Sequence, residues 1–178
     1  MSLALLGASA VCATAQHGIY ASVYLVRDVR IFLAKNHTGF IVFAYALKLL
    51  TLALYGLYIE QAYGFDVAVN AFTIIGSLLF SYGFYLNYIV HTLLGTKGIY
   101  YGYELGIVPP GKRITCFPYS VHTDPQYLGC MMQLVGSAFV FGVDPFTFAF
   151  RPELWLIAAY FCGLYFFTIE IEKMTLAQ

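Results

Sequence analysis

Charge is what this chain has least of: nine Lys/Arg and nine Asp/Glu, 10% of 178 residues, balanced to a net charge of zero. A soluble domain of this size carries about 25% charged residues, so a freely soluble globule is excluded. The 61% of hydrophobic residues and the mean hydropathy of +0.76 agree. No basic tract exists to meet a phosphate backbone, which removes nucleic acid from the expected partners. Cysteine is sparse as well. Cys12, Cys116, Cys130 and Cys162 show neither CxxC nor Cys/His ligand spacing, so no metal site is expected and the thiols read as buried and inert. Internal repeats and low-complexity segments are absent. A membrane protein is the class that remains.

What the chain does have is long apolar blocks. Crossing the hydrocarbon core takes about 20 largely apolar residues, and five blocks approach that, at 3–26, 39–59, 67–94, 128–143 and 154–169. The expected fold is an all-α integral membrane protein, a bundle of four to five transmembrane helices forming a single polytopic domain over 1–178. Ala13-Thr14-Ala15 resembles a signal-peptidase site, but no Lys or Arg precedes Arg27. A membrane helix or re-entrant anchor is therefore expected there rather than a signal peptide. Lys48 falls mid-block, where a lysine must snorkel, pair or face the bundle interior. With each block crossing, Arg27, Arg30, Lys35, Lys97, Lys112, Arg113 and Lys173 share one side, seven of the nine Lys/Arg. The positive-inside rule makes that side cytosolic.

Between the third and fourth blocks runs GTKGIYYGYELGIVPPGKRITCFPYSVHTDPQYLG, Gly95 to Gly129, with four of the six prolines. Polar residues gathered in so apolar a chain mark chemistry. This stretch is expected to form the membrane-surface half of a site, with a cleft open to the cytosol. Gly98, Gly102 and Gly106 recur every four residues, which predicts a small-residue helix face for close backbone approach. Pro125 after Asp124 predicts a new helix with proline in its first turn and Asp124 as its cap. Glu170 and Glu172 end the last block. Acid there opposes the helix dipole, so a cation or amine nearby is expected. Side chains two residues apart are turned by about 200° on a helix, so both face one ligand only where the helix frays.

The order GIYYGYELG, then FPYSVHTDPQYLG, then a transmembrane hairpin ending in acidic residues resembles the phospholipid N-methyltransferase family in its plant and algal form. The likeness is sharp over 83–136, returns at Glu170 and is only hydropathic earlier in the chain. It implies a small protein of the endoplasmic reticulum, with the mitochondrial membrane as the alternative. It also implies transfer of methyl groups from S-adenosylmethionine to the headgroup of phosphatidylethanolamine or its mono- and dimethyl derivatives. The family's cofactor site has a GxG element, which falls at Ser81-Tyr82-Gly83 with serine in the first place. Its acidic pair falls at Glu170, with Ile171 in the second place and Glu172 beyond. Gly98, Tyr101 and Gly102 join these as cofactor-binding candidates, and the functional core becomes 81–136 with 168–173.

The acceptor amine has a pKa near that of Lys, about 10.4, and must lose a proton before attack. Glu104, His122 and Asp124 are the candidate bases, and the sequence does not choose among them. Tyr119 and Tyr127 offer π faces to a cationic headgroup. Lys112 and Arg113 sit where a lipid phosphate meets the interface. The expected partners are the lipid substrate and the bilayer, and the glycine face suits packing within one chain or between copies in a homo-oligomer. Two rivals stand beside this reading. One is a membrane isoprenylcysteine carboxyl methyltransferase, which usually shows Arg-His-Pro where this chain has Thr123-Asp124-Pro125. The other is a non-enzymatic helical scaffold, which leaves the acidic terminus unexplained. On sequence alone, Glu170→Gln is expected to abolish donor binding and leave membrane insertion intact.

Overall fold

The computed structural model describes residues 2–109 and 114–176, without the side chains of Ser2 and Leu176. Six helices follow in order: α1 Ser2–Leu25, α2 Arg27–Lys35, α3 His37–Tyr63, α4 Ala71–Ile99, α5 Pro125–Phe141 and α6 Pro152–Leu176. Among the described residues the one extended pairing is the Val143–Phe150 bridge. Helices α3, α4 and α6 are long and apolar enough to cross a membrane. The 17-residue α5 and the 24-residue α1, with Gln16 and His17 in its second half, run beside them. The chain is an all-α membrane protein, as its composition indicates.

The helices overrun or fall short of the apolar blocks by several residues at most ends, and two departures have a local cause. The charged stretch after the first block is itself a helix, α2, which buries Leu33 and leaves Arg27, Asp28, Arg30 and Lys35 exposed. At nine residues it is too short for hydropathy to register. The third block begins as a helix only at Ala71, because Asn70 caps it. Asn70 Oδ1 accepts the Thr73 amide at 3.0 Å and Thr73 Oγ1 accepts the Asn70 amide at 2.9 Å, which satisfies otherwise orphaned donors at the helix start. Pro125 does occupy the first turn of α5 with Asp124 at the cap, but the Asp124 side chain makes no capping bond.

The expected glycine face at Gly98, Gly102 and Gly106 does not form. Helix α4 bends at Gly95, where φ is +64°, and ends at Ile99; Gly106 (φ +71°) lies in the turn beyond. Four-residue spacing has no meaning once the helix has stopped. The close helix contact is made elsewhere, by Gly76 and Gly83 of α4 against Gly136 and Gly129 of α5. A Cβ added at Gly136 would stand 2.6 Å from the Gly76 carbonyl oxygen, and one at Gly129 would stand 2.7 Å from that of Gly83. Seven-residue spacing on both helices keeps the two backbones in touch across two turns.

Two apolar clusters hold the other helices. Ala13, Tyr55, Tyr58, Leu154 and Phe161 join α1, α3 and α6. Toward the other end, Tyr20, Leu33 and Phe40 of α1, α2 and α3 enclose Tyr100, Tyr101 and Leu105. The turn after α4 is therefore a buried part of the core. His37 at the start of α3 fastens it through Nε2 to the Tyr100 carbonyl at 2.8 Å. At the far end of the bundle, Arg151 donates to the Phe141 carbonyl and to Asp144 Oδ2, each at 2.9 Å, and lies 4.1 Å over the Tyr63 ring. Asp144 itself is held down to about pKa 2, first by bonds from Thr147 and Phe146 and then by Arg151. This clamp is thus constant over physiological pH.

Candidate active site

The buried turn places chemistry at one end of the bundle. A cavity of about 160 Å³ lies among the ends of α1, α4 and α6 and the start of α5, lined by Tyr24, Gly98, Tyr101, Glu104, Tyr119, Asp124, Tyr127 and Glu172. Tyr101 adopts a left-handed backbone, φ +58°, although it is no glycine, and is 6% exposed. Such a conformation costs of order 1–3 kcal/mol and persists only where the surroundings impose it. Here Tyr20, Tyr24 and Phe40 surround the ring. They aim its hydroxyl at Glu172 Oε1, to which it donates at 3.0 Å. The Tyr127 hydroxyl, 3.1 Å from that of Tyr101, donates to the same oxygen. Among the described residues Glu172 Oε2 has no hydrogen bond, and the side chain lines the cavity.

Helix α6 does not fray. It continues through both glutamates, so the rotation of about 200° between them sends one inward and one outward. Glu172 is the inward one. Glu170 has a side chain 64% exposed and pairs with Lys173 at 3.1 Å, an exposed contact of small energetic weight.

Three carboxylates, Glu104, Asp124 and Glu172, face this one cavity. Like charges brought together in a partly dry site disfavour joint ionisation unless a cation or proton joins them. Glu104 is exposed overall, yet burial at the cavity mouth pushes its carboxyl above the ordinary range. Burial, then the Asp124 charge, pushes the Tyr119 hydroxyl up to about 12. Burial and then the neighbouring Tyr127 and Glu172 hold the Tyr101 phenol well above its usual range. These tyrosines are neutral donors at physiological pH.

The structure brings together Gly98, Tyr101, Glu104, Tyr119, Asp124, Tyr127 and Glu172. It does not bring Ser81, Tyr82 and Gly83 to them. Gly83 is spent on the contact with Gly129, Ser81 faces an outer groove beside Val69 and Ser77, and the exposed Tyr82 meets His122 Nε2 at 3.1 Å. Gly102 packs on the Lys97 carbonyl rather than lining the cavity. Lys112 and Arg113 lie outside the described residues. Tyr24, which sequence reasoning missed, comes from the end of α1, far from any motif; only its place just before the charged stretch marked it.

A membrane-embedded helical bundle with an acidic, tyrosine-lined cavity at one end is the class that the fold and this geometry define. The profile of the phospholipid methyltransferase family matches residues 71–178, from the start of α4 onward. The chain belongs to that family. Over 57 residues it is 44% identical to a phosphatidyl-N-methylethanolamine N-methyltransferase of Arabidopsis thaliana, a match covering 32% of this chain and 34% of the relative. The chain thus spans about a third of the length of the curated relative it matches. No solved structure matches it.

Proposed function

We propose that the protein is a phospholipid N-methyltransferase, using S-adenosylmethionine to methylate the amine of phosphatidylethanolamine or its mono- and dimethyl derivatives, toward phosphatidylcholine. The observation that carries this reading is the convergence of Glu104, Asp124 and Glu172 with four tyrosines on one cavity. Both reactants are cations, a sulfonium and an ammonium, and this donor set suits them. Family membership favours the reading over the isoprenylcysteine and scaffold alternatives. Asp124, standing where a carboxylate-methylating relative would place a cation, agrees with an amine acceptor.

When bound, S-adenosylmethionine supplies an electrophilic methyl group. The chain's own residues hold, orient and deprotonate. Glu172, fixed by two tyrosine hydroxyls on Oε1, offers Oε2 to the donor's amino group or ribose hydroxyls through charge-assisted bonds. The rings of Tyr24, Tyr101, Tyr119 and Tyr127 offer cation–π stabilisation of about 0.5–2 kcal/mol each. Alignment of the reacting ends supplies the larger share of rate. His122 faces Tyr82 instead of the cavity, so Glu104 and Asp124 are the bases in reach. At about 160 Å³ the cavity is below the ~300–1,000 Å³ typical of whole-ligand pockets, a size for the reacting ends alone. Arg27, Arg30, Lys35, Lys97 and Lys173 flank this end of the bundle, which supports a cytosolic face in the endoplasmic reticulum or mitochondrial membrane.

The deciding experiment is methyl transfer from labelled S-adenosylmethionine by purified protein in liposomes, with un-, mono- and dimethylated phosphatidylethanolamine tested separately. Label in the lipid is expected, most with the monomethylated acceptor named by the plant relative. No label with any of the three, from folded protein, overturns the reading. The pH profile adds a second check. Burial raises the Glu104 pKa, so its basic form is reached only at higher pH; activity is expected to rise through that shifted value. Glu104→Gln should flatten this rise, and an unchanged profile assigns the base to Asp124.

A further inference from the structure

Lys48 has no place in the site described so far. It lies eleven residues into the membrane-spanning α3, roughly 16 Å of helix from His37, and among the described residues it forms no hydrogen bond or ion pair. An unpaired ammonium at such depth is costly unless an anion joins it. Side chains on a helix lean toward its N-terminus. The N-terminus of α3 is the end fastened to Tyr100, so Lys48 leans toward the reactive cavity.

Its surroundings connect that cavity to the membrane. Lys48 lines a small void of about 40 Å³ together with Tyr100, Tyr101, Tyr127 and Tyr165. Tyr101 and Tyr127 are also walls of the acidic cavity. On its other side Lys48 lines a mainly apolar cavity of about 310 Å³, whose inner walls come from α1, α5 and α6. Its outer edge is formed by Leu52 and Gly56 of α3, Phe65 just past the end of α3, and Phe80 of α4. Helices α3 and α4 make no extensive contact with each other. Leu52 (51% exposed) and Phe80 (44% exposed) stand at this open seam. In order from the seam come an apolar chamber, a single cation, and an acidic tyrosine cavity. That is the sequence of parts in a phospholipid: acyl chain, phosphate, amine.

We infer that Lys48 is the phosphate-binding residue of the lipid site, with the acyl chain in the α3–α4 seam and the headgroup amine reaching past Tyr101 and Tyr127 toward Glu172. The proposal rests on the methyltransferase reading for the identity of the amine end. It assigns selectivity for a phosphodiester to a residue outside the family-matched region.

The test compares a monomethylethanolamine phospholipid with a diacylglycerol carrying the same amine on a neutral, phosphate-free linker. Wild-type protein in liposomes should prefer the phospholipid by tenfold or more in kcat/KM. Lys48→Met should lose most of that preference, chiefly through KM for the phospholipid, and leave the neutral lipid and S-adenosylmethionine binding unchanged. Lys48→Arg should restore it. A Lys48→Met protein that slows both lipids equally, or neither, overturns the proposal, since a packing role would not distinguish them. If wild-type protein transfers no methyl group at all, the activity reading fails separately. Equilibrium binding of a fluorescent phospholipid and its phosphate-free analogue then decides the Lys48 site: preference for the phospholipid in wild type alone supports it, and equal binding refutes it.

Discussion

Glu172→Gln is expected to weaken S-adenosylmethionine binding by about 10- to 100-fold and to lower methyl transfer at least as much. The amide still accepts from the hydroxyls of Tyr101 and Tyr127, so the pocket keeps its shape and the helix its register. What disappears is the charge presented by the second carboxylate oxygen. A hydrogen bond to a charged group contributes about 1.5–3 kcal/mol against 0.5–1.5 for a neutral one, and each 1.36 kcal/mol is tenfold. Glu170→Gln removes only an exposed pair with Lys173 and is expected to change binding by less than about threefold. Equilibrium dialysis with labelled donor on both variants makes the comparison. Normal binding by Glu172→Gln beside lost binding by Glu170→Gln would reinstate the assignment drawn from the motif alone.

Gly129→Leu is expected to destabilise the protein more than any exposed change. A side chain there meets the Gly83 carbonyl at 2.7 Å and the Asn87 side chain at 2.9 Å before its outer carbons are placed. Backbone cannot swing aside as a flexible side chain can, so α4 and α5 must separate. Overpacking costs typically 1–3 kcal/mol and occasionally more, and 3 kcal/mol lowers Tm by about 6–12 °C in a chain of this size. Activity should fall further than stability, because Tyr127 rides on the first turn of α5 and would leave Glu172. Gly163→Ala is the control, since a Cβ there meets nothing within 4 Å. If Gly129→Leu melts with the wild type in detergent, the backbone contact between α4 and α5 is not what holds the hairpin.

Much of this was readable in the chain. The apolar blocks mark the long helices because the bilayer sets their length, and the polar stretch from Gly95 to Gly129 contains six of the eight residues named here at the cavity, all but the two distant walls, Tyr24 and Glu172. The geometry between Glu170 and Glu172 was legible as an alternative but not as a choice: the helical rotation says that one turns away, and only the packing of α6 says which. Spacing of four among Gly98, Gly102 and Gly106 makes a face only on a continuous helix, whereas Gly95 and the left-handed Tyr101 end the helix first. No residue-type preference announces a tyrosine at positive φ; the aromatic core imposes it. Ser81-Tyr82-Gly83 failed to reach the cavity for a similar reason. Gly83 answers the demand of the α4–α5 contact, which a motif read along one strand of sequence does not display. Tyr24 needed the third dimension altogether.

The turn holding Tyr100 and Tyr101 is seated in a bed made by α1, α2 and α3, the part of the chain that precedes the family match. Those helices act as a mould. The cast surface is a set of aromatic rings, Tyr20, Tyr24 and Phe40, around one bent segment, with His37 fastened beneath it. A family-matched half beginning at α4 would carry its acidic residues without the surface that gives them a common direction.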